Sequence, residues 1–165
     1  MAYTYSQIHM HTIFAVKTRT GLIQKEWRDD LYKYITGIVQ YYNHKLLSIN
    51  GMPDHIHMFF GMRPNQSLSD LMQDIKRNSS KWINDQKFEK GHFEWQACLP
   101  KASSARRQEG YGAFSYNKSQ TSNVIAYIQN QEIHHRKRSF LEEYKEVLTK
   151  FGIDYDERYI FKPVE

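Results

Sequence analysis

Three groups of residues in this 165-residue chain have types and spacings suited to chemistry. The first is His55-Ile56-His57. In an extended strand, residues two apart point to the same face. Both imidazoles can then converge on one cation, at nitrogen–metal distances of about 2.0–2.1 Å in the zinc case, while Ile56 faces the other way. The same spacing recurs in His9-Met10-His11, and spacing alone does not separate the two pairs. The second group is Tyr127 with Gln131, four apart and so one turn apart on one face of a helix. With 12 tyrosines in the chain, a core aromatic is the commoner fate for any one of them. The third group is basic: Lys17, Arg19, Lys76, Arg77, Lys81, Lys101, Arg106, Arg107 and the run His134 to Arg138. Any single member is explained by a solvated face. The run is not, because adjacent like charges repel unless an anion lies near. Interleaved aromatics could stack unpaired bases, each contributing about 1–3 kcal/mol.

Other chemistries are excluded. No Walker-type Gly-x4-Gly-Lys occurs, Gly110-Tyr111-Gly112 is a lone Gly-x-Gly, and there is no Gly-x-Ser-x-Gly elbow. A phosphoryl enzyme driven by its own nucleotide is therefore not expected.

The elements that must position these residues follow from periodicity. Ile8 to Val16 reads as a strand, with Met10, Thr12, Phe14 and Val16 on one face. Glu26 to Tyr42 reads as a helix, with Trp27, Leu31, Tyr34, Ile38 and Tyr41 at three- and four-residue steps. Lys45 to Asn50 and His55 to Gly61 read as strands joined by the turn Gly51-Met52-Pro53-Asp54. Ser67 and Asp70 have capping spacing and open a helix to about Ile83. Phe93 to Leu99 and Tyr111 to Tyr116 are candidate strands around a basic loop. Thr121 or Ser122 caps a helix to about His135, and a last helix covers Phe140 to Phe151. The order β-α-β-β-α-β then α predicts an α+β, ferredoxin-like antiparallel sheet with helices on one face plus a C-terminal helix.

Composition bounds the setting. Lys+Arg 23 against Asp+Glu 18 gives a net charge of +5, a weak pointer to a polyanionic partner. Hydrophobic residues at 40% and a length of 165 fit one domain, 1–165. The single cysteine, Cys98, excludes an internal disulfide framework and a Cys-based zinc site. No apolar run is long enough to span a membrane and no signal peptide is visible, so a cytoplasmic setting is expected.

The motifs together resemble a known family. Pro53-Asp54-His55-Ile56-His57, followed by Phe59 and Phe60, resembles the HUH signature of the single-tyrosine transposases of small bacterial insertion sequences. Trp95-Gln96 and Gly110-Tyr111-Gly112-Ala113-Phe114-Ser115 resemble that family's segment before the catalytic helix, and Val124 to His135 resembles the helix itself, about 121–135. Phe140 to Tyr144 and Ile153 to Tyr159 resemble its C-terminal part. The blocks occur in family order over nearly the whole chain. One departure is an insertion of about a dozen residues between Gln96 and the Gly-Tyr-Gly element, roughly 97–109, carrying Lys101, Arg106 and Arg107.

The resemblance implies a ferredoxin-like fold with the histidine pair on a central strand. It implies His55 and His57 as metal ligands rather than His9 and His11, Gln131 as the third ligand, Tyr127 as the nucleophile, and Mg2+ or Mn2+ as the cofactor. The reaction it implies is cleavage and rejoining of single-stranded DNA through a 5′-phosphotyrosine, at element ends that form hairpins, by a homodimer with composite active sites. Lys17, Arg19, Lys76, Arg77, Lys81, Arg106 and Arg107 are the candidates for DNA contacts. Asp54 either orients a ligand histidine or serves the turn. Two alternatives remain at this point: a domesticated relative that processes chromosomal repeats by the same chemistry, and a non-catalytic nucleic-acid-binding module of the same fold.

Overall fold

The computed structural model describes residues 3–17, 22–88, 91–97, 110–158 and 160–162. Four strands form one antiparallel sheet: β1 (His9–Ala15), β2 (Lys45–Met52), β3 (His55–Gly61) and β4 (Gly112–Tyr116). Their spatial order is β2-β3-β1-β4. Together with α1 (Lys25–Tyr41) and α2 (Leu68–Gln86), this is the ferredoxin-like arrangement expected from the element order.

Period-two alternation splits the sheet into two unlike faces. Phe14 and Val16 of the β1 segment join Ile56, Met58 and Phe60 of β3 on one face, where α1 and α2 pack with Trp27, Leu31, Ile35, Leu71, Met72 and Ile75. α1 buries Trp27, Leu31, Ile35 and Val39, spaced four apart along one stripe. α2 begins where Ser67 Oγ accepts from the Asp70 N–H at 3.1 Å, as the capping spacing predicted. It ends at Lys87, which takes a left-handed conformation.

The other face carries His11, Ile13 and Ala15 of β1, His55, His57 and Phe59 of β3, and Phe114 of β4. It is covered by α3 (Thr121–Gln129), α4 (Gln131–His135) and α5 (Phe140–Lys150). Val124 and Ile128 of α3 pack on Phe59. Phe140, Tyr144 and Leu148 of α5 pack on Ile13, Ala15 and Phe114. Helices therefore close both faces.

Two elements differ from expectation. The single helix expected over about 121–135 is broken at Asn130, with α3 before it and α4 after it. The Asn50 side chain donates to the carbonyls of Ile128 at 3.0 Å and Gln129 at 3.3 Å, offering acceptors near the break a partner outside the helix. Over 93–97, the described part of the strand expected at 93–99, Trp95 makes one isolated bridge to Val16, just beyond the end of β1. Pairing there is confined to a short stitch: Lys17 N–H to Glu94 O at 2.9 Å and Gln96 N–H to Ala15 O at 2.7 Å. Among the described residues no helix is long and apolar enough to cross a membrane.

The β2–β3 connection sets the histidine register, pairing His55 with Met52 and His57 with Asn50. A Cβ on Gly51 would lie 2.1 Å from the His55 carbonyl oxygen, so only glycine fits. Gly51→Ala should destabilise the fold by about 1–3 kcal/mol, the usual range for overpacking, measured by urea denaturation. An unchanged midpoint would show that the hairpin relaxes freely.

Candidate metal and tyrosine site

The face under α3, α4 and α5 gathers the sequence-singled residues into one buried cluster. His55 and His57 are both fully buried on β3. His55 Nε2 lies 3.2 Å from Gln131 Oε1, so the expected third ligand meets the pair. Tyr127 lies against His57, with ring centroids 5.8 Å apart. Behind the pair, Asp54 Oδ1 is 2.7 Å from His55 Nδ1, a distance at which it can orient the ring. His57 Nδ1 is 2.8 Å from His11 Nε2. Ile13 pairs with His57 across the strands, so His11 is the diagonal neighbour on the same face. The His9/His11 pair is thus not equivalent to His55/His57, yet His11 supports it from behind.

Neither residue that completes the cluster was singled out for metal or tyrosine chemistry in the sequence: His135 stood in the basic run and Glu143 in the C-terminal block. Glu143 of α5 is buried, and its Oε1 lies 3.1 Å from His57 Nε2 and 3.2 Å from His135 Nε2. Its Oε2 accepts from the Tyr127 hydroxyl and from Gln131 Nε2, the latter at 3.3 Å. His135 Nε2 also lies 3.0 Å from Gln131 Oε1. The clue to Glu143 was its place in the apolar stripe of α5, beside Phe140, Tyr144 and Leu148, where a charged residue has no packing reason to be.

The electrostatics follow from burial and pairing. Burial pushes the His57 imidazole down to about 4, with Glu143 pulling the other way, so His57 is neutral and able to ligate. Burial and the His57 ring hold His11 well below the ordinary histidine range. Burial opposes the Glu143 charge, but hydrogen bonds from His135 and His57 outweigh it and hold the carboxyl far below the usual range. Burial, then the Glu143 carboxylate, pushes the Tyr127 phenol well above its ordinary value.

The residues fit a divalent cation. One ligand atom each from His55, His57, His135 and Glu143 all lie within 4.8 Å of one another. Atoms facing each other across a small cation are separated by about 4 Å. Imidazole nitrogens, an amide oxygen and a carboxylate form a mixed set that suits manganese as well as or better than magnesium.

The DNA-contact candidates separate. Lys76 is buried, and its Nζ donates to the carbonyls of Gln96 at 2.8 Å and Gly110 at 3.1 Å. Its ammonium thus ties two backbone carbonyls together. Lys17 pairs with Glu94 at 2.6 Å. Arg77 pairs with Asp74 and Lys81 with Asp85, both exposed on α2 and so in the layer across the sheet from the histidines. Arg19, Lys101, Arg106, Arg107 and most of the 97–109 insertion lie outside the described residues. Of the run that begins in α4, His135 enters the site, His134 packs on Tyr127 at 4.8 Å between centroids, and Arg136 and Lys137 are exposed beside it.

Within this single chain Tyr127 stands beside its own His57. Val124 and Ile128 on Phe59, Asn50 on the end of α3, and Gln129 Nε2 donating to Ser48 Oγ at 2.7 Å hold α3 on its own sheet.

Lys76→Met should cost about 1–3 kcal/mol, because two buried carbonyls lose their donor, whereas Arg77→Ala should change stability by under about 1 kcal/mol. Thermal denaturation of both variants reads the contrast, and equal losses would remove the distinction.

The ISDra2 transposase TnpA of Deinococcus radiodurans is 28% identical over 79 residues, 48% of this chain and 56% of that protein. The match thus spans little more than half of the curated relative. A crystal structure of a Deinococcus radiodurans transposase superposes with a TM-score of 0.54 at 22% identity, covering 79% of this chain and 95% of that one. The structure of a REP-associated tyrosine transposase bound to a REP hairpin superposes with a TM-score of 0.56 at 11% identity, over 100% of this chain and 93% of the other. At those identities the likeness is one of fold. Residues 4–131 match the family described as "Transposase IS200 like", and the chain belongs to that family.

Proposed function

We propose that the chain cleaves and rejoins single-stranded DNA by transesterification at Tyr127, at ends folded into short hairpins, in the bacterial cytoplasm. The observation that carries this reading is the convergence of Tyr127, His55, His57 and Gln131 on one buried point, in a member of a transposase family. The Tyr127 oxygen attacks a backbone phosphorus. An oxygen–phosphorus bond forms, the bond to the 3′-oxygen breaks, and a 5′-phosphotyrosine results. Attack by a 3′-hydroxyl reverses the step, so the phosphodiester energy is conserved and no ATP is needed.

The chain's own groups supply much of what this requires. His55 and His57, oriented by Asp54 and His11, present ring nitrogens toward the site. These nitrogens and Gln131 Oε1 would hold a divalent cation, which when bound polarises the scissile phosphate. The Tyr127 proton points at Glu143 Oε2, the acceptor placed to receive it as the new bond forms. Arg136 and Lys137, exposed beside His134 and His135, are the basic groups next to the chemistry for a DNA backbone.

Two experiments test this. Incubating the protein with an end oligonucleotide and Mn2+ should give a denaturation-resistant adduct mapping to Tyr127. Tyr127→Phe and the double variant His55→Ala/His57→Ala should give none, His9→Ala should remain active, and Mn2+ should act at lower concentration than Mg2+. An adduct on another tyrosine, or an active double variant, would sink the assignment.

The second addresses assembly. A homodimer with shared sites requires α3 to leave its berth and serve a partner. Mixing the double histidine variant with Tyr127→Phe under subunit exchange restores activity only if sites are shared. The cis packing of α3 leads us to expect no recovery, and recovered adduct formation would establish the shared site.

A further inference from the structure

Glu143 occupies a core-facing position of α5, and among the described residues it is the only buried carboxylate. A charge so placed is costly unless paired on every side. Its two oxygens face different partners. Oε1 lies 3.1 Å from His57 Nε2, 3.2 Å from His135 Nε2 and 3.6 Å from His55 Nε2. Oε2 accepts from the Tyr127 hydroxyl and, at 3.3 Å, from Gln131 Nε2. One oxygen thus looks toward the nitrogens suited to ligation, the other toward the nucleophile. Glu143 also lies beyond residues 4–131, the segment that matches the family.

We propose that Glu143 is a bridging residue: Oε1 joins His55 and His57 as a ligand of the divalent cation, while Oε2 fixes the Tyr127 hydroxyl beside it. Cation binding and placement of the nucleophile then depend on one side chain, delivered by a C-terminal helix. α5 is held for this task by a capping box, in which Ser139 and Glu142 satisfy each other's backbone N–H groups. Its apolar stripe seats the helix on Ile13, Ala15 and Phe114. The inference rests on the metal-assisted tyrosine reading above.

The test uses the full chain as wild type, Glu143→Gln, Glu143→Ala, His57→Ala and Tyr127→Phe. Folding is checked by circular dichroism, and Glu143→Gln keeps the shape should the alanine variant fail to fold. Calorimetric titration with Mn2+ should show affinity lowered about tenfold or more in both Glu143 variants and in His57→Ala, and near wild type in Tyr127→Phe. At saturating Mn2+, adduct formation by Glu143→Gln should stay slow while oligonucleotide affinity is unchanged. Wild-type Mn2+ affinity in folded Glu143→Gln would overturn the ligand role. Full recovery of the adduct rate at saturating Mn2+ would overturn the hold on Tyr127. A wild type that binds Mn2+ yet forms no adduct would instead overturn the functional reading, and with it the Tyr127 half of the bridge, while the titrations alone judge the ligand half.

Discussion

A buried carboxylate among imidazoles is the constraint on which the site depends. Glu143 draws α5 to β3 through His57, α4 through His135, and α3 through the Tyr127 hydroxyl. Three separate helices are thereby referred to one point. Burial of this kind is weak as a source of stability but strict in geometry, because removing a partner leaves a charge uncompensated in the interior. The same burial keeps His57 neutral. The requirement for an ionised Glu143 and a neutral His57 is met by giving the acid several donors and supporting the base from behind with His11.

The sheet makes this possible by keeping its two faces unlike. Ile56, Met58 and Phe60 face α1 and α2, so the hydrophobic energy of β3 is gathered on the side away from the chemistry. His55 and His57 can then be polar without weakening that core. A slip of one residue would exchange the faces. The close approach of Gly51 to the His55 carbonyl guards against it.

The parts legible in sequence were those with a local period or a local spacing. β1 to β4, α1, α2 and α5 follow from alternation, helical stripes and caps, and His55-Ile56-His57 follows from its spacing. What was not legible depends on contacts between distant parts of the chain. Glu143 meets His57 across 86 positions. Lys76 looked like one more basic residue of an amphipathic helix until Gln96 and Gly110 were brought to it. His11 read as half of a decoy pair because nothing in His-Met-His tells that one ring will support His57 while its neighbour does not. The break at Asn130 escaped for the same reason, since the acceptors it involves are met by Asn50 of β2.

The Lys76 ammonium has a consequence for how this chain tolerates change. By accepting its hydrogen bonds, Gln96 and Gly110 are held together whatever lies between them. Gln96 is further clasped to the C-terminal segment, donating to Lys162 O at 2.7 Å and accepting from Lys162 N–H at 2.9 Å. Once the two ends are pinned, lengthening the intervening chain adds only the slowly growing entropy of a larger loop, about 0.6 kcal/mol for each doubling. A peptide or fluorophore grafted between Gln96 and Gly110 would begin and end at that pinned neck, with Lys76 and Lys162 holding its ends.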